Sequence, residues 1–148
     1  MSEDDEVEVV RNTTAVQEHA FESVVTKEDM ISFQQLVRRV PVTESIIRYA
    51  VQLARNTRPD GEGAPEFIKK WVDYGASIRA AQYLILGSKA RAIMHGRNHV
   101  SYEDVRFLAK PVFRHRILTN FHAKSEKISS ESIGDQLLET VSVPKSRM

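Results

Sequence analysis

The chain has 148 residues, enough for one domain with a buried core, and its 41% hydrophobic and 28% charged residues are those of a globular protein. No apolar run approaches a membrane span, the acidic N-terminus is unlike a signal or transit peptide, and the absence of cysteine excludes disulfides and thiol chemistry and fits a cytoplasmic setting. Net charge is +1, but residues 1–30 carry nine acids and two bases whereas residues 31–148 carry eleven acids and nineteen bases. The basic part suits an anionic partner such as nucleotide phosphates, nucleic acid or an acidic neighbouring domain, or simply solvates helix surfaces.

Ser2-Glu3-Asp4-Asp5-Glu6 reads as a helix start, a capping residue followed by acids in the first turn, with Val7, Val9 and Val10 after it and a stop at Arg11-Asn12. In residues 13–25, Val16, Ala20, Phe21 and Val24 allow a short helical turn and an apolar contact. Thr26 caps a second helix whose Met30, Phe33, Leu36, Val37 and Val40 form one apolar stripe, ended by Arg38-Arg39 and Pro41. Thr43-Glu44-Ser45 opens a third, carrying Ile46, Ile47, Ala50, Val51, Leu53 and Ala54. Residues 56–65, with two prolines and two glycines, form a loop by turn chemistry and read as a variable surface excursion. Glu66 to Asp73 is a short amphipathic segment in which Trp71 is a core or rim anchor.

Tyr74–Ala81 then opens a helix that runs to about Gly96. Ser77 is its cap, Gly75 permits a tight approach, and apolar residues on most faces predict the buried central helix of the domain. Arg79 falls in its first turn, where the macrodipole is positive and backbone N–H groups are unpaired. A cation there is disfavoured unless an anion binds, so Arg79 is either a solvated arginine or a phosphate reader. Gly96 ends the helix, and Ser101 caps the next with Asp104 at the capping-box distance. Pro111 is expected to kink or split that helix. Arg114-His115-Arg116 is either a phosphate contact or a set of helix-end caps paired with neighbouring acids. His122 to Ser129 reads as a loop, and Ser129 or Ser130 caps a last helix carrying Ile133, Leu137, Leu138 and Val141, before Pro144 and a basic tail. The sum is an all-α helical bundle of six or seven helices without a strand pair or an internal repeat.

No G-x-x-x-x-G-K-[ST] phosphate loop occurs, nor a hydrophobic strand ending in paired acids to hold magnesium, and the five histidines show no metal-ligand spacing. No metal site is expected, and no ATP hydrolysis by this chain alone.

Gly75-Ala76-Ser77-Ile78-Arg79-Ala80 resembles the G-A-S-P-R-A sensor-2 motif of MoxR-type AAA+ ATPases, with Ile78 where that family usually has proline. Leu36–Val40, Ala90–Gly96, Val100–Asp104, Pro111–Arg116 and a closing helix before Val141–Pro144 match in order. The resemblance implies a C-terminal helical lid over residues 26–148, with 1–25 a linker from the ATPase core. It implies nucleotide binding at Gly75, Ala76, Ser77 and Arg79, with Arg79 a catalytic contact to the γ-phosphate only when the core is present. ATP and Mg²⁺ are then cofactors of the whole ATPase, none being stably bound by this chain. Arg114, His115 and Arg116 become a lid-packing or subunit contact. The implied partners are the chain's own core, further copies in a ring of six, and clients with von Willebrand A domains, with neither membrane nor nucleic acid. A second reading is a stand-alone histone-fold-like or helical module binding DNA or a protein, drawn from the Gly96-Arg97-Asn98 turn, extended Val100 and the Ser101 cap.

Overall fold

A computed structural model of the chain describes residues 2–16 and 22–144. These fall into two units, one ending at Ile31 and one beginning at Ser32. In the first unit, α1 (Glu3–Thr14) starts on a capping box in which Asp5 N–H donates to the Ser2 hydroxyl and Ser2 N–H to the Asp5 carboxylate. It passes the expected stop at Arg11-Asn12, and the Thr13 and Thr14 hydroxyls donate to the Val9 and Val10 carbonyls. No residue of α1 is buried. Val16 and Val24 are almost fully exposed, so they make no apolar contact, and Ala20 and Phe21 lie outside the described residues, as does the basic tail.

The helix α2 (Lys27–Arg39) begins in the first unit and ends in the second. Thr26 and Asp29 cap it reciprocally. Its stripe is not core: Met30, Phe33 and Leu36 are half exposed, and Val40, beyond the helix end, is the buried member. Periodicity identifies an apolar face without saying what covers it.

The second unit is built on α3 (Glu44–Asn56), α5 (Ile78–Met94), α6 (Tyr102–Phe113) and α8 (Ser130–Thr140), with α4 (Glu66–Trp71) beside them. Tyr49, Leu53, Ile68, Leu84, Val105, Ile133 and Leu137 are fully buried between them. The Tyr49 ring meets Tyr102 edge-on at 5.4 Å. Arg106 donates to the Tyr49 hydroxyl and to the Leu138 carbonyl, so one guanidinium joins α3, α6 and the open end of α8. The helix α5 packs on α3 and α6, but only Ala80, Ala81, Leu84, Ser88 and Ala92 of it are buried. Ile78, Tyr83 and Met94 are more than half exposed, so the expectation of a helix buried all round is corrected to one buried face and one open apolar face.

Three further expectations are corrected. A small sheet exists: β1 (Val72–Tyr74) runs antiparallel to β2 (Leu118–Thr119), with Val72 opposite Thr119 and Tyr74 opposite Leu118. Strands of three and two residues are too short to show an alternating pattern. The stretch after His122 is not all loop, because α7 (Phe121–Ser125) forms there on an Asn120 cap. Asn120 also donates to the Lys70 and Trp71 carbonyls, fastening α7 to the end of α4. Trp71 rests against the core beside Phe67, as a rim anchor would. The described residues thus hold eight helices, still an all-α domain. Pro111 does not split α6: it falls in the last turn, where the forfeited hydrogen bond, to the Phe107 carbonyl, is one of the last the helix would make.

Asp104 is fully buried at the start of α6. Its carboxylate accepts from Arg91 at 2.5 Å, from Arg97 at 2.6 and 2.7 Å, and from the Ser101 N–H and hydroxyl at 2.9 Å each. Arg91 lies in the last turn of α5. Arg97 follows Gly96, whose φ of +67° allows the chain to reverse while Gly96 N–H and Arg97 N–H bond the Ile93 and Ala92 carbonyls. One carboxylate therefore closes the α5–α6 corner. Burial pushes its pKa up, but the hydrogen bonds from Arg97, Ser101 and Arg91 outweigh that and hold it well below the ordinary value of 3.8.

Replacing Asp104 with Ala leaves two arginines facing an emptied buried site and is expected to cost about 3–5 kcal/mol in urea unfolding. Because the folded pKa is depressed, the stabilisation from Asp104 is complete above pH 3.8 and is lost as pH falls below it. Thermal unfolding between pH 7 and pH 2 should show a drop in this acid range that is smaller in Asp104→Asn.

Candidate functional site: the turn that starts α5

The turn at residues 75–79 is fixed by backbone bonding from an unexpected source. Thr57, the first residue after α3, is fully buried; its hydroxyl donates to the Ala54 carbonyl at 2.7 Å and accepts from Ala76 N–H at 2.7 Å. Next to it, Arg58 Nε donates to the Ala76 carbonyl at 2.8 Å. Both main-chain groups of buried Ala76 are therefore held by neighbouring residues of one loop. Gly75 lies so close to Thr57 and Arg58 that a Cβ there would collide with the Thr57 carbonyl. The loop read as a variable surface excursion is thus, at Thr57 and Arg58, the clamp of this turn.

Past the clamp, Ser77 is extended (φ −77°, ψ 177°), and its hydroxyl accepts from Arg79 N–H at 3.3 Å. Ile78 takes the first helical position and is 56% exposed. No acid occupies the first turn of α5. The Arg79 side chain is exposed, and among the described residues it meets no ion-pair or hydrogen-bond partner. A free guanidinium thus stands at the positive end of a 17-residue helix. That arrangement matches an anion and offers no carboxylate for a metal ion. Among the described residues no group of three His, Cys, Asp or Glu gathers as a metal site.

From Arg79 an open groove of about 710 Å³ follows the outward face of α5. Ile47, Tyr83 and Leu86 give it an apolar lining, Arg38, Arg79 and Lys89 give it positive charge, and no acid among the described residues lines it. Lys89 is engaged, donating to the Arg38 carbonyl at the end of α2.

Arg114, His115 and Arg116 follow α6. Arg114 Nε pairs with Glu131 at 2.6 Å, and Arg116 donates to the Val112 carbonyl while stacking 4.9 Å over the Tyr83 ring. His115 is exposed and hydrogen-bonds Arg116. Two of the three therefore act inside the domain, as caps and partners, and Arg116 meets α5 one helical turn beyond Arg79.

Residues 67–137 match the AAA lid domain family. The chain is 28% identical over 122 residues to Chaperone MoxR1 of Mycobacterium tuberculosis, and 32% identical over 126 residues to the uncharacterized protein YeaC of Bacillus subtilis. These alignments take in 82% and 85% of the chain. A crystal structure of a protein assigned as an ATPase, from Cytophaga hutchinsonii, superposes on 98% of the chain with a TM-score of 0.77 at 31% identity. The chain carries the lid domain of a MoxR-type AAA+ ATPase. It spans 32% and 37% of the two curated relatives and 44% of the solved neighbour. The matched segment contains the Gly75 turn, α5 and the Asp104 corner. It begins after Thr57 and Arg58, the lid residues that sequence reasoning missed, because no spacing signal links them to a turn eighteen residues on.

Gly75→Ala should lower stability by about 1–3 kcal/mol, since backbone rather than a movable side chain stands in the way. Thr57→Val, which leaves the buried Ala76 N–H unpaired, should cost about 1–3 kcal/mol, and Thr57→Ser clearly less; urea unfolding of the three variants checks both.

Proposed function

We propose that this lid closes over ATP held by the ATPase core of the same polypeptide, with Arg79 as the sensor of the γ-phosphate. The observation that supports it most is the unpartnered Arg79 guanidinium at an acid-free helix N-terminus, on a turn clamped by its own domain. Bound ATP supplies the phosphoryl group to be transferred, and the core supplies the phosphate loop and the Mg²⁺ ligands. This chain contributes charge and shape. The start of α5 turns the positive end of its helix dipole outward, and Arg79 neutralises charge on the transferring phosphoryl group, as positioned arginines do. Loss of the γ-phosphate removes the contact and releases the lid, which lets hydrolysis bias two arrangements of lid and core.

On this reading the chain by itself does not turn over ATP, and the whole ATPase works as a cytoplasmic ring, probed first as a hexamer. One relative is named a chaperone, which supports a chaperone-like role in maturing or remodelling partner proteins, with von Willebrand A domains as the first class to test. A DNA-binding reading has less to stand on: Arg97, the basic residue of its characteristic turn, and nearby Arg91 are both bonded to Asp104.

In the full ATPase, Arg79→Ala is expected to reduce ATP turnover about 10²-fold, the usual scale for one lost transition-state donor, with a melting temperature close to that of the unaltered protein because the side chain is exposed. Unchanged turnover would remove Arg79 from the mechanism.

A further inference from the structure

We infer that Thr57 and Arg58 are positioning residues for Arg79, a brace that carries the geometry of α3 to the sensor turn; this rests on the nucleotide-sensing role proposed above for Arg79. Arg79 has no side-chain partner among the described residues, so its placement depends on its backbone alone. That backbone is set three residues earlier, at Ala76, whose N–H and carbonyl are taken by Thr57 and Arg58. Between Ala76 and Arg79 the Ser77 cap is, among the described residues, the one side chain that bonds the turn. The chain has isoleucine at position 78, where a proline would have pre-set the backbone, and this leaves more of the positioning to the brace.

The brace is itself stiff. The Thr57 hydroxyl is anchored to the Ala54 carbonyl in the last turn of α3. The Arg58 main chain is held on both sides, its N–H bonded to the Arg55 carbonyl and its carbonyl accepting from Gly61 N–H, and Gly61 in turn accepts from Ala64 N–H, each at 3.0 Å. These successive turns fold the loop against its own start. Gly75 leaves no slack, since the Thr57 and Arg58 backbone fills the space a side chain would need. The same helix α3 places Ile47 on the groove beside Arg79, so a shift of α3 relative to α5 reaches the groove wall and the sensor together.

The test is steady-state hydrolysis of Mg·ATP by the full ATPase, with Arg58→Ala, Arg79→Ala and the double variant compared with the unaltered enzyme. A displaced sensor loses an interaction made in the transition state, so Arg58→Ala should lower kcat about tenfold and leave KM for ATP within about twofold. In the Arg79→Ala background the same change should cost no more than about twofold, because a residue that acts through Arg79 has nothing left to position. Thr57→Val should mimic Arg58→Ala, and Thr57→Ser should recover most of the lost turnover; this pair decides the matter if Arg58→Ala does not fold. Equal losses with and without Arg79, or a rise in KM alone, would overturn the brace and make Arg58 an independent ligand or a structural residue. If Arg79→Ala lowers turnover and neither Arg58→Ala nor Thr57→Val does, the brace fails and the sensor stands. If Arg79→Ala changes nothing, the sensor reading fails and the brace falls with it.

Discussion

The Asp104 carboxylate is buried without contact with water, a position that is costly for a charge unless it is paired and hydrogen-bonded. Arg91, Arg97 and Ser101 surround it with donors and meet that cost. Because Arg91 belongs to α5 and Asp104 to α6, the same bonds that make the charge tolerable fix the angle between the two helices. The helices α5 and α6 then meet closely, Gly87 standing so near Leu108 that a Cβ there would press on its side chain. The C-terminal end of α5 is thus held by a charge cluster.

Its N-terminal end is held differently, by a neutral hydroxyl, a guanidinium and a glycine with no room beside it. With both ends tied, α5 is a stiff element inside the lid, and whatever its first turn presents moves with the domain. A displacement of the Arg79 backbone would therefore reach the helices rather than be absorbed by a loose turn. The exposed apolar side of α5 belongs to the same logic. Ile78, Tyr83 and Leu86 line a groove whose charged lining residues, among those described, are the cations Arg38, Arg79 and Lys89.

Features governed by near neighbours were legible in the sequence. Ser2 with Asp5, Thr26 with Asp29 and Ser101 with Asp104 each cap a helix three residues away, and Gly96 takes the left-handed position its helix end demands. Thr43 was legible as a boundary, although its hydroxyl bonds Ser45 rather than a backbone N–H. Ser77 and Arg79 were readable as cap and misplaced cation by the same local rules. Features that depend on distant partners were not legible. The β1–β2 pair joins residues more than forty positions apart, α7 is secured by Asn120 to the end of α4, and the α2 stripe gave no sign that it would remain exposed.

Where most helices begin and end, the all-α class, and a cation at a helix start with no acid to answer it all follow from the order of residues alone. Those are properties of a few consecutive residues, set by caps, dipoles and backbone freedom. It took the folded arrangement to settle that Thr57 and Arg58 grip the Gly75–Ser77 turn, that Arg97 is spent on Asp104, and that Arg114 and Arg116 pair within the domain while Arg79 meets no partner among the described residues. Identical residue types took opposite roles because the availability of an arginine depends on which carboxylates, carbonyls and rings the fold brings within reach, and residues far apart in the chain supply them.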